Sequence, residues 1–199
     1  MNTLKAEKRS MDVKAKKLRR EGFVTGIVFG RELKESIPIK IEKKEAQKFL
    51  STNNKGSEAE LELDGQKMVV LVKEVDYDPL KRETIEIDFQ ALVKGEKVHS
   101  VAEIILKNFD KVPGVVEQHL TEVAFKATPD ALTDKIEIDA SKLKVGDTVK
   151  VGDLDIAKNK NVTLQTDLDQ VVVTVTEVFY EEPVDEDAQP VATPAAPEN

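Results

Sequence analysis

Five basic side chains, Lys14, Lys16, Lys17, Arg19 and Arg20, crowd together near the start of this 199-residue chain. Lysine and arginine neutralise nucleic-acid phosphates, and affinity grows with the number neutralised. With Arg9, these residues are the candidate phosphate ligands. Arginine adds planar, bidentate contacts, which weights Arg9, Arg19 and Arg20 most. The whole chain carries a formal charge of -8, so the positive field is local. Residues 1–92 carry a net +2, residues 93–180 a net -4 and residues 181–199 a net -6. Such asymmetry hints at nucleic acid at one end. A solvated helix face is the competing reading of any basic run. RNA fits better than DNA if backbone shape and groove-edge groups are read from a rigid β surface.

Other chemistry finds little support. His99 and His119 are the only histidines, with no ligand spacing around them, and there is no cysteine. Disulfide scaffolds and thiolate metal sites are therefore excluded. The chain has no Gly-rich phosphate loop ending in Lys-Ser/Thr, no G-x-S-x-G and no H-E-x-x-H. Its carboxylates are dispersed over strand faces, where solubility explains them. No enzyme, cofactor, metal or small-molecule substrate is expected, which leaves binding.

The elements that must carry the basic cluster are mostly strands. In "SIPIKIE", Ile37, Ile39 and Ile41 share a face, and in "EAELELDG", Ala59, Leu61 and Leu63 alternate with glutamates. Asp64-Gly65 reads as a tight turn, because both residue types tolerate positive φ. The chain returns as "KMVVLVKEV", a more deeply buried hairpin partner. In "TIEIDFQAL", Ile85, Ile87 and Phe89 face inward, while Glu86, Asp88 and Gln90 face out. Two short helices interrupt the alternation. "KKEAQKFLS" sets Ala46, Phe49 and Leu50 at helical spacing, and "KAKKLRREG" does the same with Ala15 and Leu18 before stopping at Gly22. The second of these puts Lys16, Arg19 and Arg20 on a common outward face. It is too short to stand alone and must be held by packing.

The fold class expected is mainly β with short helices. An N-terminal antiparallel β-barrel spans 1–92, a C-terminal β-rich domain spans 93–180, and 181–199 form a disordered acidic Pro/Ala tail. Nothing in the first residues resembles a secretory h-region, and no apolar run reaches the roughly 18 residues of a membrane span. A soluble cytoplasmic protein with no membrane partner is expected.

The stretches "KAKKLRREGFVTGIVFG", "VDYDP" and "IDF" resemble the bacterial ribosomal protein L twenty-five family, in its long two-domain form called general stress protein CTC. In that family an R-R-L-R helix leads into a strand ending in Tyr-Gly, and later strands carry V-Q-x-x-P and H-x-D-F. Lys16-Lys17-Leu18-Arg19 and Phe29-Gly30 stand at the first two motifs. Val75 to Pro79 and Glu86 to Phe89 stand at the last two. The segment "DKIEIDASKLKVGDTVKVGDL" looks like the family's second domain. The resemblance implies an N-terminal barrel that binds 5S ribosomal RNA in the large ribosomal subunit. The RNA-facing residues it implies are Arg9, Lys16, Lys17, Arg19, Phe29, Asp76, Glu86 and Asp88; Lys14 and Arg20 join them on charge.

This chain departs from that pattern at several positions. Met11-Asp12-Val13 replaces a Gly-Lys-Gly-like turn, Phe29 stands for Tyr, Asp76 for Gln and Glu86 for His. A lost hydrogen bond costs about 0.5–1.5 kcal/mol, and an anion about 4 Å from a phosphate costs about 4 kcal/mol at a dielectric near 20. Weaker 5S RNA binding is therefore expected than in a member with Tyr, Gln and His. The alternative is a divergent stress protein of the same fold that has lost most RNA binding and acts through protein contacts.

Overall fold

The period-two segments pair with one another. The computed structural model describes residues 3–177. The tail expected at 181–199 lies outside the described residues. Six strands form a closed barrel: β1 (Thr3–Lys8), β2 (Phe23–Phe29), β3 (Ile37–Glu42), β4 (Glu58–Leu63), β5 (Gln66–Asp78) and β6 (Glu83–Ala91), in the order β1-β3-β2-β6-β5-β4. The alternation holds: Ile39, Ile41, Leu61, Ile87 and Phe89 are buried in one core. Asp64 and Gly65 turn β4 into β5 with φ of 50° and 83°, the two positive values that a tight hairpin turn requires.

The barrel closes as expected, but two of its seams are parallel. β1 runs parallel to β4, and β2 parallel to β6. The sequence pattern points to antiparallel strands throughout. Alternation fixes which face of a strand is buried; it carries no information about which neighbour pairs or in which direction. Parallel neighbours need a long crossover connection. Here the chain between β1 and β4 supplies β2, β3 and two helices.

Helix α1 (Ala15–Arg20) has six residues and is held by tertiary packing. Leu18 is buried beneath it, and the Glu21 N–H bonds back to the carbonyls of Lys17 and Leu18. Helix α2 (Lys43–Leu50) packs against strands β1, β2, β3 and β6 of the barrel. Its Phe49 ring lies 6.4 Å from that of Phe89, tilted by 59°. Burying a phenylalanine this way contributes about 1.5–3 kcal/mol.

A second β unit follows. Strands β7 (Val98–Lys107), β9 (Glu122–Ala127), β10 (Lys135–Asp139) and β12 (Val162–Leu164) make one sheet, ordered β10-β7-β9-β12. Strands β8 (Val115–Gln118), β11 (Thr148–Lys150) and β13 (Val171–Thr176) make a second, ordered β11-β13-β8. Phe125, Val123, Val172 and Val173 share its separate core. Polar contacts join the two units. Ser57 Oγ donates to Asp134 Oδ2 at 3.0 Å, Lys73 Nζ donates to the His99 carbonyl at 2.9 Å, and Asn54 Nδ2 donates to Glu103.

Candidate nucleic-acid interface

The parallel seam between β2 and β6 organises the candidate site. Its register sets Thr25 opposite Glu86 and Val28 opposite Phe89. The strands approach closely at Gly26, where a Cβ would lie 2.0 Å from the Ile87 carbonyl oxygen. Thr25 is fully buried, and its hydroxyl donates to the Ile85 carbonyl at 3.4 Å.

Arg19 is exposed and lines one cleft with Lys16 and Arg20, as the common face expected for them implies, but its charge is already engaged. Its guanidinium folds across the seam. Nε donates to the Ile85 carbonyl at 3.2 Å, and Nη2 donates to Thr25 Oγ1 at 3.1 Å and to Glu86 Oε2 at 3.0 Å. The reason is local satisfaction: a buried hydroxyl, a strand carbonyl and a carboxylate all lie within reach of one fork of donors. Lys14, Lys16, Lys17 and Arg20 stay exposed. Lys17 sits 3.9 Å from Glu21, whereas Lys14, Lys16 and Arg20 have no ion-pair partner among the described residues. Arg9 is half-buried at the end of β1. It donates through Nη2 to the Val13 carbonyl at 3.1 Å and so braces the loop leading into α1. Phe29 is half-buried at the end of β2, opposite Gln90.

The outward face of β5 and β6 is acidic. Glu74 lies opposite Asp88, and Asp76 opposite Glu86, so four carboxylates form a compact square. Like charges placed opposite one another across strands are destabilising. Asp88 shows the consequence. Burial raises its pKa, and the charges of Glu74 and Asp76 raise it further. A hydrogen bond from the Ile27 N–H, at 3.2 Å, pulls it partly back. Asp88 therefore also ties β6 to β2.

The structure adds two cations that the sequence reading did not select. Lys43, at the start of α2, and Lys81, in the β5–β6 turn, line a cleft of about 460 Å³ together with Lys16, Arg19 and Arg20. They lie more than twenty residues from the basic cluster, so no spacing rule could have joined them. Thr25 escaped notice for a similar reason. It reads as an ordinary strand residue until its register partner is known.

A closed barrel carrying a basic helix is joined to a second β unit built of two sheets. Comparison with known proteins is specific. The family model "Ribosomal L25p family" matches residues 4–89, and the model "Ribosomal protein TL5, C-terminal domain" matches residues 97–178. The large ribosomal subunit protein bL25 of Listeria monocytogenes is 32% identical over 185 residues, covering 90% of this chain and 88% of the relative. The bL25 of Bacillus velezensis is 31% identical over 196 residues, covering 96% of this chain and 95% of the relative. The chain belongs to the ribosomal L25p family, in the long form with the second domain. Membership of a ribosomal protein family also bears out the reading that the chain is not an enzyme.

Proposed function

We propose that this chain is a protein of the large ribosomal subunit that binds 5S ribosomal RNA through residues 1–92, more weakly than a relative with Tyr, Gln and His at positions 29, 76 and 86. On this reading it works in the cytoplasm, with residues 93–180 as a second domain. Support comes first from its relatives, which are named large ribosomal subunit proteins. The observation that carries the RNA reading is the exposed, unpaired set Lys14, Lys16 and Arg20 beside a β surface. Lys17 adds a fourth cation, since its pair with Glu21 is long and exposed. Asp88, Asp76 and Phe29 would meet groove-edge groups and ribose from the strands.

The reduced affinity rests on electrostatics. Arg19 is engaged by Glu86, and the acidic square faces the same side as the strand residues expected to meet RNA. A phosphate approaching that square meets repulsion of a few kcal/mol at most, reduced by salt screening.

Titration of a 5S ribosomal RNA transcript at about 50 and about 200 mM salt tests the reading. If the four cations of the helix region each neutralise one phosphate, the slope of log affinity against log salt is about -3. No binding at the lower salt, by protein shown to be folded, overturns the proposal. The acidic square also favours a second reading, in which the chain works through basic protein partners and hardly binds RNA. The triple reversion of Phe29 to Tyr, Asp76 to Gln and Glu86 to His separates the two. Restored affinity supports a weakened RNA site, and unchanged affinity shows that these three positions are not what separates the two readings.

A further inference from the structure

We propose that the cleft between helix α1 and the β5–β6 turn is a phosphate-binding pocket, in which Lys43 and Lys81 join Lys16 and Arg20 of the helix around one backbone phosphate of the bound RNA. The proposal rests on the RNA reading above and adds to it a location that the helix charge alone does not give.

Three observations converge on the cleft. Its volume of about 460 Å³ leaves room for a phosphodiester, and Phe23 lines it beside the cations. Its charge is predominantly positive, since the four framing cations meet only Asp78 and Glu83 among its lining residues. Glu83 is paired with Lys43 at 2.5 Å. Asp78 is turned to the backbone, where Oδ1 accepts from the N–H groups of Leu80 at 3.0 Å and Lys81 at 3.2 Å. That carboxylate therefore fixes the turn that presents Lys81. Lys16, Arg20 and Lys81 have no carboxylate within ion-pair distance among the described residues, so their charge remains available.

The neighbouring surface gives direction. The strand face beside the cleft carries Glu74, Asp76, Glu86 and Asp88, with Arg19 as its local counter-charge. A polyanion sliding over the seam is repelled by the square and attracted by the cleft. The strongest phosphate contact would then shift from the strand face to the end of the barrel next to α1. Phe23 can offer its ring to a ribose or base there, while Lys40 covers it at 4.8 Å from the other groove that the ring lines.

The experiment uses the full chain and a 5S ribosomal RNA transcript. Lys81→Gln removes a cleft cation that makes no ion pair among the described residues. Lys48→Gln removes an exposed cation of the same charge on α2, away from the cleft. If Lys81 meets a phosphate, Lys81→Gln lowers affinity and reduces the salt slope by about 0.7–0.9, whereas Lys48→Gln leaves the slope within error of the unaltered chain. A transcript with one neutral methylphosphonate at the responsive position must cancel the difference between Lys81→Gln and the unaltered chain. Binding that Lys81→Gln and Lys48→Gln alter equally overturns the cleft and leaves the RNA reading standing. Failure of the unaltered, folded chain to bind at all overturns both.

Discussion

Arg19 Nη2 lies 3.0 Å from Glu86 Oε2, across the parallel seam that joins β2 to β6. Both side chains are about two-thirds covered, at 35% and 31% exposure. The pair joins two residues that the family resemblance marks for RNA, and it turns each toward the other. Arg19 also satisfies Thr25 and the Ile85 carbonyl, so it holds the barrel as well as carrying charge. Loss of RNA binding on removing Arg19 would therefore mix two effects. Changing its partner separates them.

Glu86→Gln frees the guanidinium without unseating it, because the bonds to Thr25 and Ile85 remain. Pairs of this exposure are worth about 0.2–1 kcal/mol, so stability should fall by less than about 1 kcal/mol. Affinity for 5S ribosomal RNA should rise about fivefold, equivalent to about 1 kcal/mol. A binding titration and a urea melt check the two halves. A large loss of stability with no gain in affinity would show that the pair serves the fold alone.

Asp88 makes stability depend on pH. Its pKa is higher in the fold than in the unfolded chain, chiefly through burial. The folded state therefore binds the proton more tightly, and stability declines as pH rises from the unfolded value near 3.9 through the folded value. Above that window the penalty for the charged form is fully present. Asp88→Asn removes it and keeps an oxygen that can accept from Ile27. The variant should be more stable by about 0.5 kcal/mol at about pH 7, an advantage that disappears near pH 3.5. Urea unfolding at both pH values measures it.

Gly26→Ala should break the seam. A methyl group would arrive 2.0 Å from the Ile87 carbonyl oxygen, which belongs to the facing strand and has little room to retreat. Overpacking of this kind costs about 1–3 kcal/mol, and backbone as the obstacle puts the change at the upper end. Chemical denaturation should show the loss, and RNA affinity should drop with it, since Arg19, Glu86 and Asp88 all sit on this seam. Unchanged stability would mean that the strands can separate without cost.

Ser57 and Asn54 couple the barrel to the second β unit through Asp134 and Glu103. Removing both side chains, as Asn54→Ala with Ser57→Ala, deletes the two bonds between the units, worth about 1 kcal/mol each, and the local bond from the Asn54 N–H to Ser57 Oγ. The two units should then part more often, exposing the connection that holds Lys94 and Lys97. Trypsin should cut there several-fold faster than in the unaltered chain. An equal cutting rate would show that other contacts, such as Lys73 with the His99 carbonyl, suffice.

Much of the barrel was legible in the sequence, for a physical reason. A strand with one buried face must alternate, so Ile39 and Ile41, Leu61 and Leu63, and Ile87 and Phe89 announce themselves. The Asp64-Gly65 turn and α2, with Phe49 buried, were legible on the same local grounds. The first strand was harder to see. Thr3–Lys8 buries only Leu4 and Ala6, and the charged residues around them mask a short alternation.

By itself, the sequence determined the class of most barrel elements, the local basic cluster and, through ordered motifs, the family. These depend on residues close together along the chain, whose spacing is fixed by covalent geometry. Strand direction, pairing and charge neutralisation depend on residues far apart along the chain. Only the tertiary structure set Thr25 beside Glu86, folded Arg19 onto both, stacked Glu74 and Asp76 against Asp88 and Glu86, and brought Lys43 and Lys81 to the basic helix. A count of charges treats Arg19 and Arg20 alike. The fold separates them, because Arg19 has a carboxylate and a buried hydroxyl within reach, whereas Arg20 has no ion-pair partner among the described residues.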